Sequence, residues 1–271
     1  MDERRHTLEI HGLVARYGDR TVLQGIDFDV RPGEVHVILG GSGCGKTTLL
    51  KHAIGLLTPA EGTVDLLGVD LARADEPEKN AVLARIGMLF QGGALLNSLS
   101  VHENVALPIH ERSELPKDVI DEMVRMKLGL VGLSHAGSLT PPELSGGMKK
   151  RAALARAMAT DPEILFCDEP SAGLDPVTAA SLDQLLLNLR DRFQMSVVVV
   201  THELPSIEII SDRVTMLDKG RVVAQGTLPE VRAADHPVVR AFFDRRGEGE
   251  AARRNVLEAL STADRGEEGR P

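Results

Sequence analysis

Gly40-Gly41-Ser42-Gly43-Cys44-Gly45-Lys46-Thr47 is the stretch on which the fold of this chain turns. It follows Val35-His36-Val37-Ile38-Leu39, an apolar run of strand length, and opens onto Thr48-Leu49-Leu50-Lys51-His52-Ala53-Ile54. There Leu49, Leu50, Ala53, Ile54 and Leu57 recur at helical spacing. Buried strand, glycine loop and helix, in this order, predict a loop that cradles a polyphosphate. The glycines let backbone N–H groups curl round an anion where a Cβ would obstruct them, and the helix N-terminus adds partial positive charge. Lys46 is placed to reach β- and γ-phosphates, and the Thr47 hydroxyl to ligate Mg²⁺. A nucleoside triphosphate site is expected.

Composition narrows the class. At 271 residues the chain has room for one large α/β domain with an inserted subdomain, or for two small domains. Aliphatic side chains must build the core, because aromatics make up only 3%, with no Trp and a single Tyr. A net charge of −9 argues against nucleic-acid binding, which needs a basic surface. The two cysteines, one in the glycine loop and one in an apolar run, give no disulfide framework and fit a reducing compartment. No apolar run approaches membrane-spanning length, and Met1-Asp2-Glu3-Arg4-Arg5-His6 lacks the apolar stretch of a signal peptide. A soluble cytoplasmic protein is expected.

Leu8 to Val30 alternates apolar and polar residues in two runs parted by Tyr17-Gly18-Asp19-Arg20, which predicts a hairpin or small antiparallel sheet. The stretch from Glu61 to Gly68 is expected to return to it, and Arg85 to Phe90 reads as a further strand ending at Gln91. From about Ser100 to Ala159 the spacing turns helical, through Ile120, Met123, Val124, Leu128 and Val131, with Pro116 suited to a first helical turn. This helix-rich stretch interrupts a strand-rich frame and reads as an inserted subdomain. Ile164-Leu165-Phe166-Cys167 and Ser196-Val197-Val198-Val199-Val200 have the near-continuous apolarity of parallel strands covered on both faces. Leu182 to Leu189 lies between them at helical spacing, giving a βαβ unit, and Asp218-Lys219-Gly220 turns a late hairpin. Beyond about Asp244 the chain becomes charged, and its apolar cluster of Val256, Leu257 and Leu260 suits a frayed terminus or an arm docked on a partner subunit.

Two further motifs carry chemistry. Asp168-Glu169 follows the apolar run Ile164 to Cys167, so both carboxylates sit at a buried strand's end. Asp168 is suited to hold Mg²⁺ and Glu169 to polarise a water for in-line attack on the γ-phosphorus. Leu144-Ser145-Gly146-Gly147-Met148 precedes a helical run from Lys149 to Ala157, a second anion site without a lysine of its own. Alone it would be an N-capped helix after the Pro141-Pro142 break.

These motifs, in this order, resemble the ATP-binding subunits of ABC (ATP-binding cassette) transporters over roughly residues 8 to 230. The resemblance implies an α/β fold of the P-loop NTPase type: a RecA-like core, a small antiparallel β subdomain and an inserted helical subdomain. It implies an ATPase domain over 7–240, the helical insertion at about 92–160, and a charged tail over 241–271. Tyr17 would stack on adenine, while Gly40, Gly41, Ser42, Gly43, Cys44, Gly45, Lys46, Thr47 and Thr48 would hold the phosphates. Gln91 would touch Mg²⁺ and the attacking water, alongside the metal role of Asp168 and Thr47. Glu169 would be the catalytic base, and His202 the switch residue on the γ-phosphate, with Lys46 and Gln91 completing the catalytic set. Ser145, Gly146 and Gly147 would contact the γ-phosphate of a second copy, and Asp175 in the loop Ser171 to Asp175 would cross the dimer interface. Ser171 stands where many members have Thr, and Cys44 takes a variable position at which a thiol reagent is expected to inactivate and ATP to protect.

Met148 where the common pattern has Gln, the stretch from Phe90 to Val105, and Met126 to Leu133 together resemble the MlaF-type branch, which serves bacterial phospholipid (Mla/Mce) transport. That branch implies a homodimer on an MlaE-like permease, an MlaD-like MCE-domain protein and a peripheral place on the cytoplasmic face of the inner membrane, and it allows an MlaB-like STAS-domain subunit. An importer ATPase for an amino acid, metal or other small solute shares every catalytic residue. Non-transport ABC ATPases of DNA repair or translation would show tandem cassettes, coiled-coil insertions or a basic surface, and a metabolic P-loop kinase would lack the Leu-Ser-Gly-Gly element and switch histidine.

Overall fold

The computed structural model describes residues 6–244. β1 (Leu8–Tyr17) turns at Gly18 into β2 (Arg20–Val30), then β3 (Val35–Gly40) leads through the glycine loop to α1 (Lys46–Ala53). β4 (Glu61–Leu66) and the short β5 (Val69–Asp70) precede α2 (Glu76–Leu83) and β6 (Ile86–Leu89). Three helices follow without a strand: α3 (Val101–Arg112), α4 (Lys117–Leu130) and α5 (Gly146–Ala157). β7 (Ile164–Asp168), α6 (Pro176–Phe193), β8 (Ser196–Val200) and α7 (Leu204–Ile210) come next. β9 (Arg213–Asp218), β10 (Arg221–Gly226) and α8 (Leu228–Ala233) follow, then a helical stretch over 237–244.

The strands form two sheets. β2-β1-β4-β5 is a four-stranded antiparallel sheet, and β10-β9-β3-β8-β7-β6 a six-stranded one in which β3 runs parallel to both β8 and β9. β3 and β8 are buried at every position, which explains their near-continuous apolar sequences. Side-chain alternation divides each central strand between two cores. Val35, Val37 and Leu39 face the helical side with Val197 and Val199, while Ile38 faces the small sheet with Val198 and Val200.

The expected hairpin, the returning strand, the βαβ unit and the late hairpin are all present. Two details differ from the sequence reading. Pro116 lies just outside α4, as its N-cap, and α2 left no apolar signature because Val82 alone is buried there. α2 is held instead by a capping box between Asp75 and Glu78. No helix among the described residues is long and apolar enough to cross a membrane. Val256, Leu257 and Leu260 lie outside the described residues, whereas Phe242 and Phe243 pack against the helical-side core.

Candidate active site

The glycine loop is shaped by close approach as much as by freedom of rotation. Gly40 has φ +149°, and a Cβ there would lie 2.3 Å from the Leu217 carbonyl oxygen and 2.7 Å from Cys44 Sγ. Gly45 has φ +111°, with its would-be Cβ 2.5 Å from Leu23 Cδ2. Gly45 also stands at the N-cap of α1, where no side chain caps the helix. Lys46 crosses the loop, its Nζ donating to the carbonyl oxygens of Gly40 (2.8 Å) and Gly41 (3.1 Å).

β7 carries the carboxylates to the same end of the sheet. Asp168 is half-buried, and desolvation together with the adjacent Glu169 charge pushes its carboxyl up, against the pull of Lys46, Lys51 and Lys150. Glu169 sits at φ +49°, a left-handed backbone that costs a non-glycine residue of order 1 kcal/mol or more and concentrates at functional sites. Its N–H donates to the Val200 oxygen at 2.8 Å, which fixes β7's end against β8. Glu169 Oε1 lies 2.8 Å from His202 Nδ1, while Oε2 is buried without a hydrogen-bond partner among the described residues. The other ring nitrogen of His202, Nε2, is 3.1 Å from Glu203 Oε1.

A cavity of about 630 Å³ joins these groups, lined by Gly40, Gly41, Ser42, Gly43, Lys46, Thr47, Gln91, Asp168, Glu169 and His202. Its apolar wall comes from Val200 and Met216 and from Val238, Ala241 and Phe242 of the helical stretch 237–244. The other sequence-derived candidates do not line it. Tyr17 is 49% exposed at the end of β1, and Cys44, Gly45 and Thr48 lie behind the loop surface. Ser145 Oγ accepts from the Met148 N–H at 3.2 Å as the N-cap of α5. Asp175 accepts from the N–H groups of Val177 (3.1 Å) and Thr178 (3.0 Å) as the N-cap of α6. Gly146 packs near Leu174, and a Cβ on Gly147 would lie 2.7 Å from Thr178 Cγ2. The N-termini of α5 and α6 therefore meet each other, away from the cavity of their own chain.

One expectation is corrected. Cys44 is buried, and burial pushes its thiol up despite the nearby Lys46 charge. A reagent needs an exposed thiolate, so the thiol is a poor target and its expected ready modification does not follow.

The sequence motifs did not single out the residues that hold the segments carrying Gln91 and Glu169. Lys150 is buried, and its Nζ donates to the Gln91 carbonyl oxygen and, at 3.1 Å, to that of Glu169. Arg156 donates to the carbonyl oxygens of Gly93 (2.9 Å) and Ala94 (2.7 Å), and buried Asn104 binds Leu96, Leu99 and Ser100. A usable signal existed: Lys150 falls on the stripe of Ala153, Leu154 and Ala157, where a lysine is out of place.

The cradle fits an Mg²⁺-bound nucleoside triphosphate. Gly40, Gly41, Ser42 and Gly43 line the cavity with Lys46, Thr47 offers a hydroxyl and Asp168 a carboxylate, and Glu169 Oε2 is an unused acceptor there. Among the described residues no group of three His, Cys, Asp or Glu is placed to hold a metal. Phosphate and water oxygens would complete the shell of such an ion.

Comparison with known proteins agrees with this chemistry. A family profile described as "ABC transporter" matches residues 23–172. The phospholipid transport ATP-binding protein MlaF of Haemophilus influenzae is 38% identical over 90% of this chain and 93% of its own length. MlaF of Escherichia coli K12 is 39% identical over 84% of each. A Mycobacterium leprae protein named as a probable ribonucleotide transport ATP-binding protein, mkl, is 38% identical over 88% of this chain and 69% of its own. Among solved structures, the ATP-binding cassette MJ0796, a dimer in a post-hydrolysis state bound to ADP and Pi, superposes with a TM-score of 0.74. It is 29% identical and covers 82% of this chain and 98% of that one. CbiO1 of Clostridium perfringens, part of an ABC transporter complex, gives 0.79 at 28% identity over 92% and 100% of the two chains. Matching profile, relatives spanning most of the chain and a shared cassette fold place this protein in the ABC transporter family, among its ATP-hydrolysing subunits.

Proposed function

We propose that this chain energises phospholipid transport of the Mla/Mce type, as a homodimer acting on a separate membrane permease. Within each copy, Lys46 and the Gly40 to Thr47 backbone bind the β- and γ-phosphates of ATP, and Tyr17 stacks on the base. Thr47, Asp168 and Gln91 would hold Mg²⁺, which when bound neutralises charge on the phosphates. His202 fixes Glu169 through Oε1 and leaves Oε2 to take the proton of the attacking water.

The observation that carries this reading is that the second anion site lies off the cavity of its own chain. Ser145, Gly146 and Gly147 present a helix N-terminus yet do not line the cavity of their own chain, so a second copy has to bring them to the γ-phosphate. Asp175 would cross that interface. ATP then joins two subunits, and its hydrolysis lets them part. Subunit mixing tests this: Ser145→Arg and Glu169→Gln are each expected to be inactive alone, but a mixed dimer contains one site with no defect. Recovery of turnover on mixing is the expected result, and no recovery rules out a site built from two chains.

A permease segment is expected in the groove of about 580 Å³ lined by Leu56, Phe90, Leu107 and Pro108, where Leu56 is 61% exposed. The groove also contains Arg156, the holder of Gly93 and Ala94 beside Gln91. We assign 7–240 to the ATPase domain, about 92–160 to its helical insertion and 241–271 to a charged tail. The MlaE-like permease, MlaD-like MCE protein, MlaB-like STAS subunit and inner-membrane location follow from the same reading. The names of the Haemophilus and Escherichia relatives support a lipid cargo, whereas the mycobacterial one favours a small polar solute. Purification of the complex from membranes decides between them: bound phospholipid supports the first, and a stimulating solute-binding protein the second.

A further inference from the structure

α5 begins with Ser145-Gly146-Gly147 and carries Lys150 further along the same helix. The Lys150 ammonium is buried and donates to two backbone carbonyls, those of Gln91 and Glu169. Taking an ammonium out of water is costly, and desolvation lowers the pKa of Lys150 even though Cys167, Glu169 and Asp168 lie near it. The neighbouring stripe positions are Ala153, Leu154 and Ala157, so an apolar side chain would suit the packing. What an apolar side chain would not do is grip both catalytic segments of the chain at once.

We propose that Lys150 is a positioning residue that ties α5 to Gln91 and Glu169 of its own subunit, so that α5's engagement of the partner's ATP is felt at the catalytic base beside its own. This rests on the two-chain site proposed above. The ammonium has donors enough for both carbonyls, and the rigid helix between Ser145 and Lys150 passes a shift of one end to the other. The companion contact at Arg156 holds Gly93 and Ala94, so the Gln91 segment is bound to α5 at two points along its length. A displacement of α5 moves that segment with it.

The test uses the complete transporter with Lys150→Met and Lys150→Arg. Lys150→Met is expected to lower kcat about tenfold or more while KM for ATP and fluorescent-nucleotide affinity stay within about twofold. Lys150→Arg keeps a buried donor and is expected to retain most of kcat. A Lys150→Met complex with kcat within about twofold of the parent overturns the proposal, as does equal loss in the Arg variant. If Lys150→Met does not fold, Lys150→Leu, which also removes the donor, carries the same test. Mixing experiments place the defect: a Lys150→Met subunit paired with Glu169→Gln should show no recovery, because the surviving base is the uncoupled one. Recovery there would mean that Lys150 serves only the partner's site, and would overturn the proposal. Should the Ser145→Arg and Glu169→Gln mixture fail to recover, the two-chain reading falls by itself, and the kcat against KM split still judges Lys150.

Discussion

Nδ1 of His202 lies 2.8 Å from Oε1 of Glu169, and this contact joins the segments that leave β7 and β8. It occupies one carboxylate oxygen and leaves the other buried and unpartnered among the described residues. A carboxylate held in this way is oriented before substrate arrives.

Glu169→Gln keeps the shape of the side chain and removes its basicity. Turnover should fall by about 10²-fold or more, with ATP affinity nearly unchanged and a closed ATP-bound dimer accumulating on size exclusion. His202→Ala should also lower turnover, and the double variant should be little worse than either single one, because the two residues act as a unit. Additive losses in steady-state kinetics would separate their roles.

Adjacent glycines should respond differently to alanine. A Cβ at Gly40 meets the backbone oxygen of Leu217 at 2.3 Å, which cannot move without disturbing β9, whereas a Cβ at Gly41 meets nothing within 4 Å. Gly40→Ala should abolish nucleotide binding or folding, and Gly41→Ala should leave the folded loop intact in thermal melts. Nucleotide titration of both variants checks this.

Acid should expose a second charged cluster. Arg213 donates to both oxygens of Asp29, at 2.7 and 2.9 Å, and to Glu34 at 3.1 Å. The Arg213 hydrogen bond holds Asp29 below its ordinary value of 3.8. Burial raises Glu34, but the neighbouring His36 ring, with Nδ1 3.5 Å from Oε1, and the hydrogen bond from the Arg31 N–H outweigh it and leave the group below its ordinary 4.5. Both folded values are depressed, so the stability they contribute is present above the ordinary values and lost as pH falls through the folded ones. Arg213→Met should cost on the order of 2 kcal/mol at neutral pH, less than for a fully buried pair because Asp29 keeps partial exposure. The gap between variant and parent in denaturant melts should narrow below about pH 4.

Cys44 should label slowly with maleimide in the folded protein and promptly in denaturant, because burial raises its thiol and hides it. Rapid native-state labelling, mapped by mass spectrometry to Cys44, would show that the loop opens.

The frame of the molecule was legible because its strands are unusually pure. Val197 to Val200 and Ile164 to Cys167 have one plausible environment, a sheet covered on both faces, and the glycine loop has few alternatives. Gln91, Asp168, Glu169 and His202 could be expected near the loop because each ends or follows such a strand, and the cavity does bring them together. Local capping competed with the rest. Ser145 and Asp175 were legible as chemistry, but in their own chain both satisfy helix N–H groups. Lys150 and Arg156 escaped notice because they act on backbone carbonyls distant in sequence, and a carbonyl leaves no mark on residue identity.

β3 is enclosed by apolar side chains on both faces and paired along both edges, and the phosphate loop begins at its last residue. Its amides have no local route to solvent, so they should exchange with deuterium only when the whole domain opens. The part of the protein that must greet a mobile ligand is thus rooted in its slowest-exchanging segment, and nucleotide should protect the loop while leaving that root's exchange limited by global unfolding.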